Sequence, residues 1–428
     1  MDVFCGAGGL SEGFRQAGWV PVAGSDVDPD AMATYRLNFP GAAAVAGDLR
    51  QSRVRSRLLS AARGVDVVAG GPPCQAFSQV RNHARIIDDP RNSLYREFVK
   101  IVAKAEPKAF VMENVPGLAQ MGVLEQVLED LACRGAYRVR ATVVDAADFG
   151  VPQSRKRIVF IGLHRSFDQA VPLPAGTAAT GHLWLERDAA HREYRLSAAF
   201  TEGFTPTGAL SILKDPWDES IVSTAQAIGD LIGLRSGNGR HDLEMPAADL
   251  PAPASAYQKA MRDNPSDAVA NVGVPRINAD TRLRLSHIPQ GGNHLDLPDE
   301  MQGRYLTGQR WGPHNGSSRL SRQHYYAYRR LHPEIWSWTL NTKADSVYHW
   351  AAPRALSVRE FARLQSFPDR FVFTTDPRRG ELPGRISGGP GHSCYRQAGN
   401  AVPPLLGRAI AEALRPVVEA PSGTDRQR

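Results

Sequence analysis

Short apolar runs alternate with helical patterns as far as residue 162, and this alternation limits the possible fold more than any other feature of the chain. The strand-like runs lie at 2–4, 20–25, 65–69, 109–112, 139–143 and 158–162. Segments between them carry apolar residues at helical spacing, as at Leu10, Phe14 and Ala17. This rhythm predicts an α/β fold with a doubly wound parallel sheet, whose ligand crevice lies at the carboxyl ends of the strands.

Glycines and acidic residues stand where the first strands end. Cys5-Gly6-Ala7-Gly8-Gly9 follows the first strand, and Asp26 closes the second. An acidic residue about 20 positions after a glycine turn is where nucleoside-binding βαβ units hold a ribose. The structural alternatives are a plain tight turn at the glycines and a helix N-cap at Asp28. Gly47-Asp48-Leu49 is a third acidic tip, which suits binding of the exocyclic amine of a purine. A solvated turn is the alternative interpretation of this segment.

The next strand end presents a cysteine. Gly70-Gly71-Pro72-Pro73-Cys74-Gln75-Ala76-Phe77-Ser78 directly follows the apolar run at 65–69. The glycine and proline pairs end the strand and place Cys74 on a rigid loop, where a substrate can reach its sulfur. The alternative is a cysteine that only fills space in a turn. Residues 79–92 resemble a mobile loop.

A carboxylate and a cluster of cations complete the set of candidate site residues. Glu113 ends the apolar strand at 109–112, where a carboxylate is costly unless it is paired or used. A partly exposed strand-end glutamate is the alternative. Gln153-Ser154-Arg155-Lys156-Arg157 runs into the last strand, and its cations either bind phosphate and carbonyl oxygens or form a solvated turn.

From about residue 163 to 355 the pattern changes, because Pro, Gly, Arg and polar residues dominate and clear periodicities are few. This predicts a second, loop-rich domain. Within it, the segment 319–330 interleaves basic and aromatic residues, which suits phosphate contacts and base stacking, or an ordinary basic edge. Helical patterns return at 356–365 and after Pro404.

Composition narrows the class of protein. The 428 residues carry 51 Lys+Arg against 44 Asp+Glu, a net charge of +7 that permits a polyanionic partner without requiring one. Four scattered cysteines, Cys5, Cys74, Cys133 and Cys394, indicate neither a disulfide framework nor a metal site. We therefore expect a reducing, intracellular protein that has no membrane anchor and no structural metal site.

In this order, the blocks resemble the DNA cytosine-5 methyltransferases of bacterial and phage type. The matching segments are 2–9, 26–28, 47–49, 70–78, 113–115, 153–162, 356–369 and 397–404. The resemblance implies a Rossmann-like sheet of the S-adenosylmethionine-dependent methyltransferases with a smaller target-recognition domain. Its implied boundaries are a catalytic part at 1–163, a recognition domain at 164–355, a return to the catalytic domain at 356–417 and a disordered tail at 418–428.

The resemblance also implies roles for individual residues. Cys74 would be the nucleophile that attacks C6 of the target cytosine, and Glu113 would bind the N3 and amino edge of the base. Arg155 and Arg157 would match the family's cationic pair, with Arg155 nearest to the base carbonyl. S-adenosylmethionine would be the methyl donor, held by Phe4, Gly6, Gly8, Gly9, Asp26, Val27, Asp48, Leu49, Pro73, Asn400 and Val402.

Double-stranded DNA would be the substrate, with the cytosine flipped out of the duplex. Gln75 and Ser78 would contact the DNA there, and Arg319, Arg322 and Tyr325 would help to read it. The implied context is restriction-modification or related DNA methylation, with a cognate endonuclease as partner. The resemblance also implies a cytoplasmic, nucleoid-associated monomer that needs no metal. The first strand is shorter than is usual in the family, and Val27 stands where an aromatic residue often stacks on adenine.

Two other interpretations of the sequence remain open. A tRNA cytosine-5 methyltransferase shares the fold and the nucleophile, but usually has a different pattern after the proline-cysteine pair. A catalytically silent DNA-binding regulator on the same scaffold would have no need for Cys74, Glu113, Arg155 and Arg157 together.

Overall fold

A seven-stranded sheet forms the amino-terminal part of the protein. The computed structural model describes residues 1–73, 93–120, 123–177, 183–188, 193–198, 221–234, 242–263, 267–301, 328–378 and 390–420. The strands of the sheet are β1 (Asp2–Val3), β2 (Ala23–Asp26), β3 (Ala43–Ala46), β4 (Val67–Gly70), β5 (Ala109–Asn114), β6 (Tyr137–Asp145) and β7 (Lys156–His164). The helices between them are α1 (Gly9–Gln16), α2 (Pro29–Asn38), α3 (Ser52–Ala61), α4 (Ser93–Ala105), α5 (Gly117–Gln120) and α6 (Leu124–Leu131).

The strand order is β3-β2-β1-β4-β5-β7-β6, and the five strands from β3 to β5 are parallel. Strand β7 runs antiparallel to both of its neighbours, β5 and β6. At this strand the structure differs from the fully parallel sheet that the sequence predicts. The reason is local: residues 146–155 join β6 to β7 with only a short 3₁₀ helix at Ala146–Phe149, and a parallel pair needs a longer crossover. The start of β7 therefore lies at the edge where β4 and β5 end.

Both faces of the sheet are covered at its centre, where β1, β4 and β5 are buried on both sides. Phe110 and Met112 of β5 pack in one apolar cluster with Phe98 of α4. Val111, which alternates with them, packs in another cluster with Phe14 of α1 and residues of a carboxyl-terminal helix. This alternation is what the period of two in a strand produces when helices lie on each face.

Later elements complete the chain. They are β8 (Leu183–Asp188), β9 (Glu193–Ala198), α7 (Thr224–Ile228), β10 (Glu244–Pro246), α8 (Ala256–Met261), β11 (Ala268–Ala270), α9 (Ala279–His287), α10 (Val358–Leu364), α11 (Pro390–Asn400) and α12 (Pro404–Val418). The helices expected at 356–365 and after Pro404 correspond to α10 and α12. Helix α11 has no counterpart among the helical patterns expected from the sequence, because its buried apolar residues, Cys394, Tyr395 and Ala398, stand among polar ones.

The described residues between 164 and 355, here called the middle segment, share a core with the rest of the molecule. Ile228 of α7 and Met261 of α8 belong to the same buried cluster as Tyr35 of α2, Phe361 of α10 and Tyr395 of α11. Part of the region expected to form a second domain is therefore packed into the catalytic fold. The domain boundaries remain a prediction.

Close backbone contacts fix the carboxyl-terminal helix against the glycine-rich one. A Cβ atom at Gly13 of α1 would lie 2.4 Å from the carbonyl oxygen of Pro404. A Cβ atom at Gly9 would lie 2.3 Å from the carbonyl oxygen of Val402. Because only glycine permits these approaches, the end of the chain packs onto α1 next to the ends of the strands.

Candidate active site

Glu113 forms an ion pair with Arg157 at the edge where β4 and β5 end. Nε of Arg157 lies 2.5 Å from Oε1 of Glu113, and each side chain is 12% exposed. The reversed direction of β7 creates the pair, because Asn114 lies opposite Ile158 and the residue before Ile158 reaches the end of β5. A carboxylate and a guanidinium thus meet in a partly dry site with one side open, where charge-assisted hydrogen bonds are strong.

The loop that leads to Cys74 begins beside this pair. Nδ2 of Asn114 donates a hydrogen bond of 3.1 Å to the carbonyl oxygen of Pro72. A Cβ atom at Gly71 would lie 3.1 Å from Oε2 of Glu113. The backbone of the Gly-Gly-Pro-Pro segment is therefore held against the end of β5. Pro73 is exposed. Cys74, Gln75 and Ser78 lie outside the described residues.

Arg155 occupies a different environment from the one expected. Its guanidinium is buried and donates hydrogen bonds to the carbonyl oxygens of Leu340, at 3.2 Å, and Gly399, at 2.8 Å. Burial lowers the pKa of Arg155 well below its usual value, the charge of Arg157 lowers it further, and Glu113 acts in the opposite direction. The resemblance places Arg155 nearest to the base carbonyl, but Arg157 is the arginine that contacts Glu113.

The glycine turn and the tip of β2 are joined through Asp26. Its Oδ2 accepts a hydrogen bond of 2.9 Å from the backbone N–H of Gly6, and its Oδ1 accepts one of 2.8 Å from that of Asp28. Burial raises the pKa of Asp26, and these backbone donors act against that rise. A carboxylate has about four acceptor positions, so Asp26 keeps capacity for a ligand hydroxyl.

Left-handed backbone shapes this turn. Phe4, Gly6 and Gly8 have φ of 61°, 52° and 100°, a region that residues other than glycine seldom adopt. A Cβ atom at Gly6 would meet nothing within 4 Å, whereas one at Gly8 would collide with the ring of Phe39 at 2.5 Å. Among the residues that the structure describes, the turn is therefore packed against Phe39 at Gly8 and has open space beside it at Gly6.

The other expected cofactor residues fall into two groups. Val27 is 69% exposed, and Asn400 is also exposed at the end of α11. Leu49, in contrast, is only 2% exposed and packs in the core, so its side chain is not available to a ligand. Val402 is 8% exposed and contributes its carbonyl oxygen to the contact with Gly9.

Asp48 is paired on the surface. Nη2 of Arg50 lies 2.7 Å from Oδ2 of Asp48, and the hydrogen bonds from the Arg50 side chain lower the pKa of Asp48. The Arg50 side chain is 61% exposed. An exposed pair of this kind contributes little to stability and yields readily to another partner.

A contact that the sequence does not reveal ties the end of the chain to the tip of β2. Nη2 of Arg396 in α11 lies 2.6 Å from Oδ2 of Asp28. Asp28 also caps α2, since its Oδ1 accepts a hydrogen bond of 3.1 Å from the N–H of Asp30, as the structural alternative for this residue anticipates. The sequence gives no sign of this contact, because residues 28 and 396 are far apart in the chain and meet only in the folded protein.

Other expected features lie elsewhere. Arg319, Arg322 and Tyr325 are outside the described residues. Arg330, at the end of the same basic-aromatic stretch, donates hydrogen bonds to the carbonyl oxygens of Ile288, at 2.6 Å, and Trp350, at 2.8 Å. A cavity of about 440 Å³ opens at the opposite edge of the sheet, and Glu113 is not among its lining residues. None of the helices that the structure describes has the length and apolar character needed to cross a membrane.

Comparison with known proteins decides the family. The model of the C-5 cytosine-specific DNA methylase family matches residues 1–212 and 231–415. This chain belongs to that family. The methylase is 32% identical over 420 residues to the type II methyltransferase M1.HphI of Haemophilus parahaemolyticus, across 97% of this chain and 86% of the relative. It is 31% identical to M.AgeI of Thalassovita gelatinovora, across 97% and 98%.

The fold of the methylase is also seen in solved structures. A protein of E. coli described as a DNA modification methyltransferase encoded within a prophage superposes with a TM-score of 0.63. The two chains are 22% identical, and the match covers 98% of this chain and 99% of the other. The expected methyltransferase fold is therefore confirmed, and the protein is a DNA methyltransferase.

Proposed function

We propose that this methylase transfers a methyl group from S-adenosylmethionine to C5 of a cytosine flipped out of a specific duplex sequence. The observation that carries this proposal is the Glu113–Arg157 pair, held where the loop to Cys74 begins. A carboxylate and a guanidinium at that position offer both an acceptor and donors to the polar edge of a pyrimidine. We further propose a restriction-modification role in the cytoplasm, in view of the type II relatives.

The chemistry requires a nucleophile because C5 of cytosine is a poor one by itself. The Cys74 thiolate would add to C6, and the electrons of the C5–C6 double bond would move to make C5 nucleophilic. C5 then bonds to the methyl carbon, whose bond to the donor sulfur breaks. Loss of the C5 proton returns the electrons, the bond between sulfur and C6 breaks, and the aromatic ring is restored.

Glu113 and Arg157 would stabilise the base while this happens. Glu113 would contact the N3 and amino edge, and its proton would offset the charge that develops at N3 on attack. Because Arg157 already contacts Glu113, we assign the base carbonyl to Arg157 rather than to Arg155. Both side chains retain partial exposure, as groups that meet a ligand must.

The described residues at the tips of β1 and β2 fit the methyl donor. S-adenosylmethionine supplies an electrophilic methyl group when it is bound. Asp26 would accept from the ribose hydroxyls, Val27 would lie against the adenine, and Asp48 would accept from the adenine amine. Leu49 would contribute through its backbone. Phe4, Gly6, Gly8, Gly9, Pro73, Asn400 and Val402 would form the remainder of the site.

DNA would approach the same edge. Gln75 and Ser78 would contact the duplex where the base leaves the stack, and the middle region would read base edges in the major groove with help from Arg319, Arg322 and Tyr325. We propose that the methylase acts as a monomer and that its cellular partner is a cognate restriction endonuclease.

The test is methyl transfer from labelled S-adenosylmethionine to duplex DNA and, separately, to tRNA. Label in DNA at C5 of cytosine supports the proposal, and bisulfite sequencing of the product then gives the recognition sequence. Label in tRNA alone would show that the substrate is tRNA and not duplex DNA. Absence of label in both, with S-adenosylhomocysteine binding intact, would favour a DNA-binding protein without activity.

A further inference from the structure

Arg155 bridges two segments of the chain that the sheet itself does not join. Its Nη1 donates to the carbonyl oxygen of Leu340 at 3.2 Å and its Nη2 to that of Gly399 at 2.8 Å. The backbone N–H of Arg155 donates to Oδ1 of Asp145 at 2.7 Å, which anchors the bridge to the end of β6. The planar guanidinium can hold two acceptors at once in a fixed geometry, which a lysine cannot.

The two bridged segments are in direct backbone contact. A Cβ atom at Gly399 would lie 2.0 Å from the carbonyl oxygen of Asn341, so only glycine permits this packing. Gly399 immediately precedes Asn400, and the chain then continues to Val402, whose carbonyl oxygen packs on Gly9. The position of the Gly399–Val402 segment therefore depends on what holds Gly399 in place.

Two glutamines add hydrogen bonds between the segments that Arg155 bridges. Oε1 of Gln153 accepts a hydrogen bond of 2.9 Å from the N–H of Leu340, and its Nε2 lies 2.9 Å from Oε1 of Gln365. Nε2 of Gln365 in turn donates to the carbonyl oxygen of Ala398 at 2.7 Å. Both glutamines are fully buried, so these bonds form without competition from solvent.

We propose that Arg155 is a positioning residue for methyl transfer, which fixes the Gly399–Val402 segment at the cofactor side of the edge that carries Glu113 and Arg157. The inference rests on the proposed function, because that function assigns Asn400 and Val402 to the cofactor site. Arg157, two residues along the chain, contacts Glu113, so a single short segment sets both sides of the reaction centre. Arg155 acts through the backbone that it holds and does not contact the base.

The experiment compares Arg155→Lys with Arg359→Lys. Arg359 is also fully buried and also donates to carbonyl oxygens, those of Ala270, Pro368 and Phe371, but it does not contact Gly399. Both variants lose a buried guanidinium, and they differ in which backbone is released. Binding of S-adenosylhomocysteine is measured by calorimetry, the KM for S-adenosylmethionine and kcat by methylation of duplex DNA, and the unfolding midpoint by denaturation.

For Arg155→Lys, we expect the Kd for S-adenosylhomocysteine and the KM for S-adenosylmethionine to rise about tenfold, the loss expected for one charged hydrogen bond. With saturating S-adenosylmethionine, kcat should recover to within about threefold of wild type, since the base pocket is intact. Arg359→Lys should lower the unfolding midpoint but change the Kd by less than about twofold, because none of its three acceptors belongs to the Gly399–Val402 segment.

Unchanged binding by Arg155→Lys, or an equal loss of binding in Arg359→Lys, would overturn the inference. If Arg155→Lys does not fold, Gly399→Ala decides. Alanine is favoured over glycine in a helix, so weaker S-adenosylhomocysteine binding by a folded Gly399→Ala protein supports the inference, and wild-type binding overturns it. Failure of the wild-type protein to bind S-adenosylhomocysteine would instead overturn the proposed function and this inference with it.

Discussion

Arginine–carboxylate pairs occur both at the strand ends and at the junction between the middle segment and α10, and the two regions differ in their exposure to solvent. At the strand ends, Glu113 and Arg157 are each 12% exposed. At the junction, Arg363 is fully buried. Its Nε lies 2.6 Å from Oδ1 of Asp369, and its Nη2 lies 2.6 Å from Oδ2 of the same residue. Both partners of the first pair keep some exposure, whereas the arginine of the second is fully buried and donates to Asp369 and to the carbonyl oxygen of Ala227.

The difference indicates separate tasks. A fully buried arginine holds the middle segment to the catalytic fold, since Arg363 also donates to the carbonyl oxygen of Ala227 in α7 at 3.0 Å. Burial by itself would lower the pKa of Arg363, but its hydrogen bonds to Asp369 and the charges of Asp369 and Asp230 raise it overall. Changes at the strand ends should therefore remove activity and leave stability, and changes at the junction should do the reverse.

Glu113→Gln should produce the largest effect. We expect kcat to fall by about 10²–10⁴-fold, the usual contribution of a positioned acid or base. The free energy of unfolding should fall by less than in Arg363→Met, because glutamine keeps a polar partner for Arg157 and both side chains retain some exposure. Single-turnover methylation measures the first quantity and urea denaturation the second. Glu412→Gln, which breaks the exposed pair with Arg408 in α12, is the matched control. A Glu113→Gln rate within tenfold of wild type would remove Glu113 from the mechanism.

Arg363→Met should have the opposite signature. Removal of one partner from a buried ion pair costs about 3–5 kcal/mol, here because Asp369 loses its nearest cation. Asp230 loses a second cation and keeps its pair with Arg262. Urea denaturation measures the loss, and Arg408→Met, at a side chain that is 48% exposed, should lose less than about 1 kcal/mol. Equal losses in the two variants would show that burial does not distinguish the two kinds of pair.

His349 adds a pH dependence to the junction. Burial lowers its pKa from 6.5 to about 4, although Glu360, 3.6 Å from Nε2, acts in the opposite direction. Nδ1 of His349 accepts a hydrogen bond from the N–H of Ala351, so the neutral ring is the form that the fold accommodates. The unfolded state therefore binds a proton more readily, and stability falls as the pH drops from about 6.5 towards 4.

The expected loss over that interval is about 2–3 kcal/mol. In His349→Gln, the unfolding free energy should depend less on pH within this window and keep its wild-type dependence above pH 7. A variant with an unchanged profile between pH 4 and 6.5 would show that His349 is not the group responsible.

Asp26→Asn tests the cofactor side of the strand ends. The amide offers one acceptor oxygen, and its NH₂ group would face the N–H of either Gly6 or Asp28. We expect the KM for S-adenosylmethionine to rise about tenfold with kcat nearly unchanged, a loss typical of one hydrogen bond to a charged group. A fall in kcat without a change in KM would place Asp26 in the chemical step instead.

Arg50→Gln should give the smallest effect. Its ion pair with Asp48 is exposed, so the KM for S-adenosylmethionine should change by less than about threefold. If the KM rises as much as in Asp26→Asn, Arg50 itself belongs to the cofactor site.

The strand ends are largely predictable from the amino-acid sequence. Glycine turns, strand-end acids and alternating patterns are local, so the sequence alone suffices to place Asp26, Asp48 and Glu113 each at a strand end. The different contacts of Arg155 and Arg157 are not predictable in this way, because they depend on the reversed strand β7 and on carbonyl groups that belong to residues 340 and 399.

The junction is less predictable for a related reason. Asp230 is 133 residues from Arg363 in the chain, so no local pattern joins them. A helix whose arginines are buried also has no simple apolar spacing that would reveal its buried face. Helix α11 is hard to predict from the sequence because its buried apolar residues, Cys394, Tyr395 and Ala398, are accompanied by buried polar ones such as Ser393 and Gln397. Long-range polar packing leaves no local pattern.

Covalent capture of the enzyme tests the central claim most directly. A duplex that carries 5-fluorocytosine at the recognition site cannot lose its C5 substituent, so the adduct with the Cys74 sulfur should persist after methyl transfer. With S-adenosylmethionine present, we predict a denaturation-resistant protein–DNA complex for the wild-type protein and none for Cys74→Ser. Failure of the intact protein to be captured, or capture of Cys74→Ser to the same extent, would contradict the account.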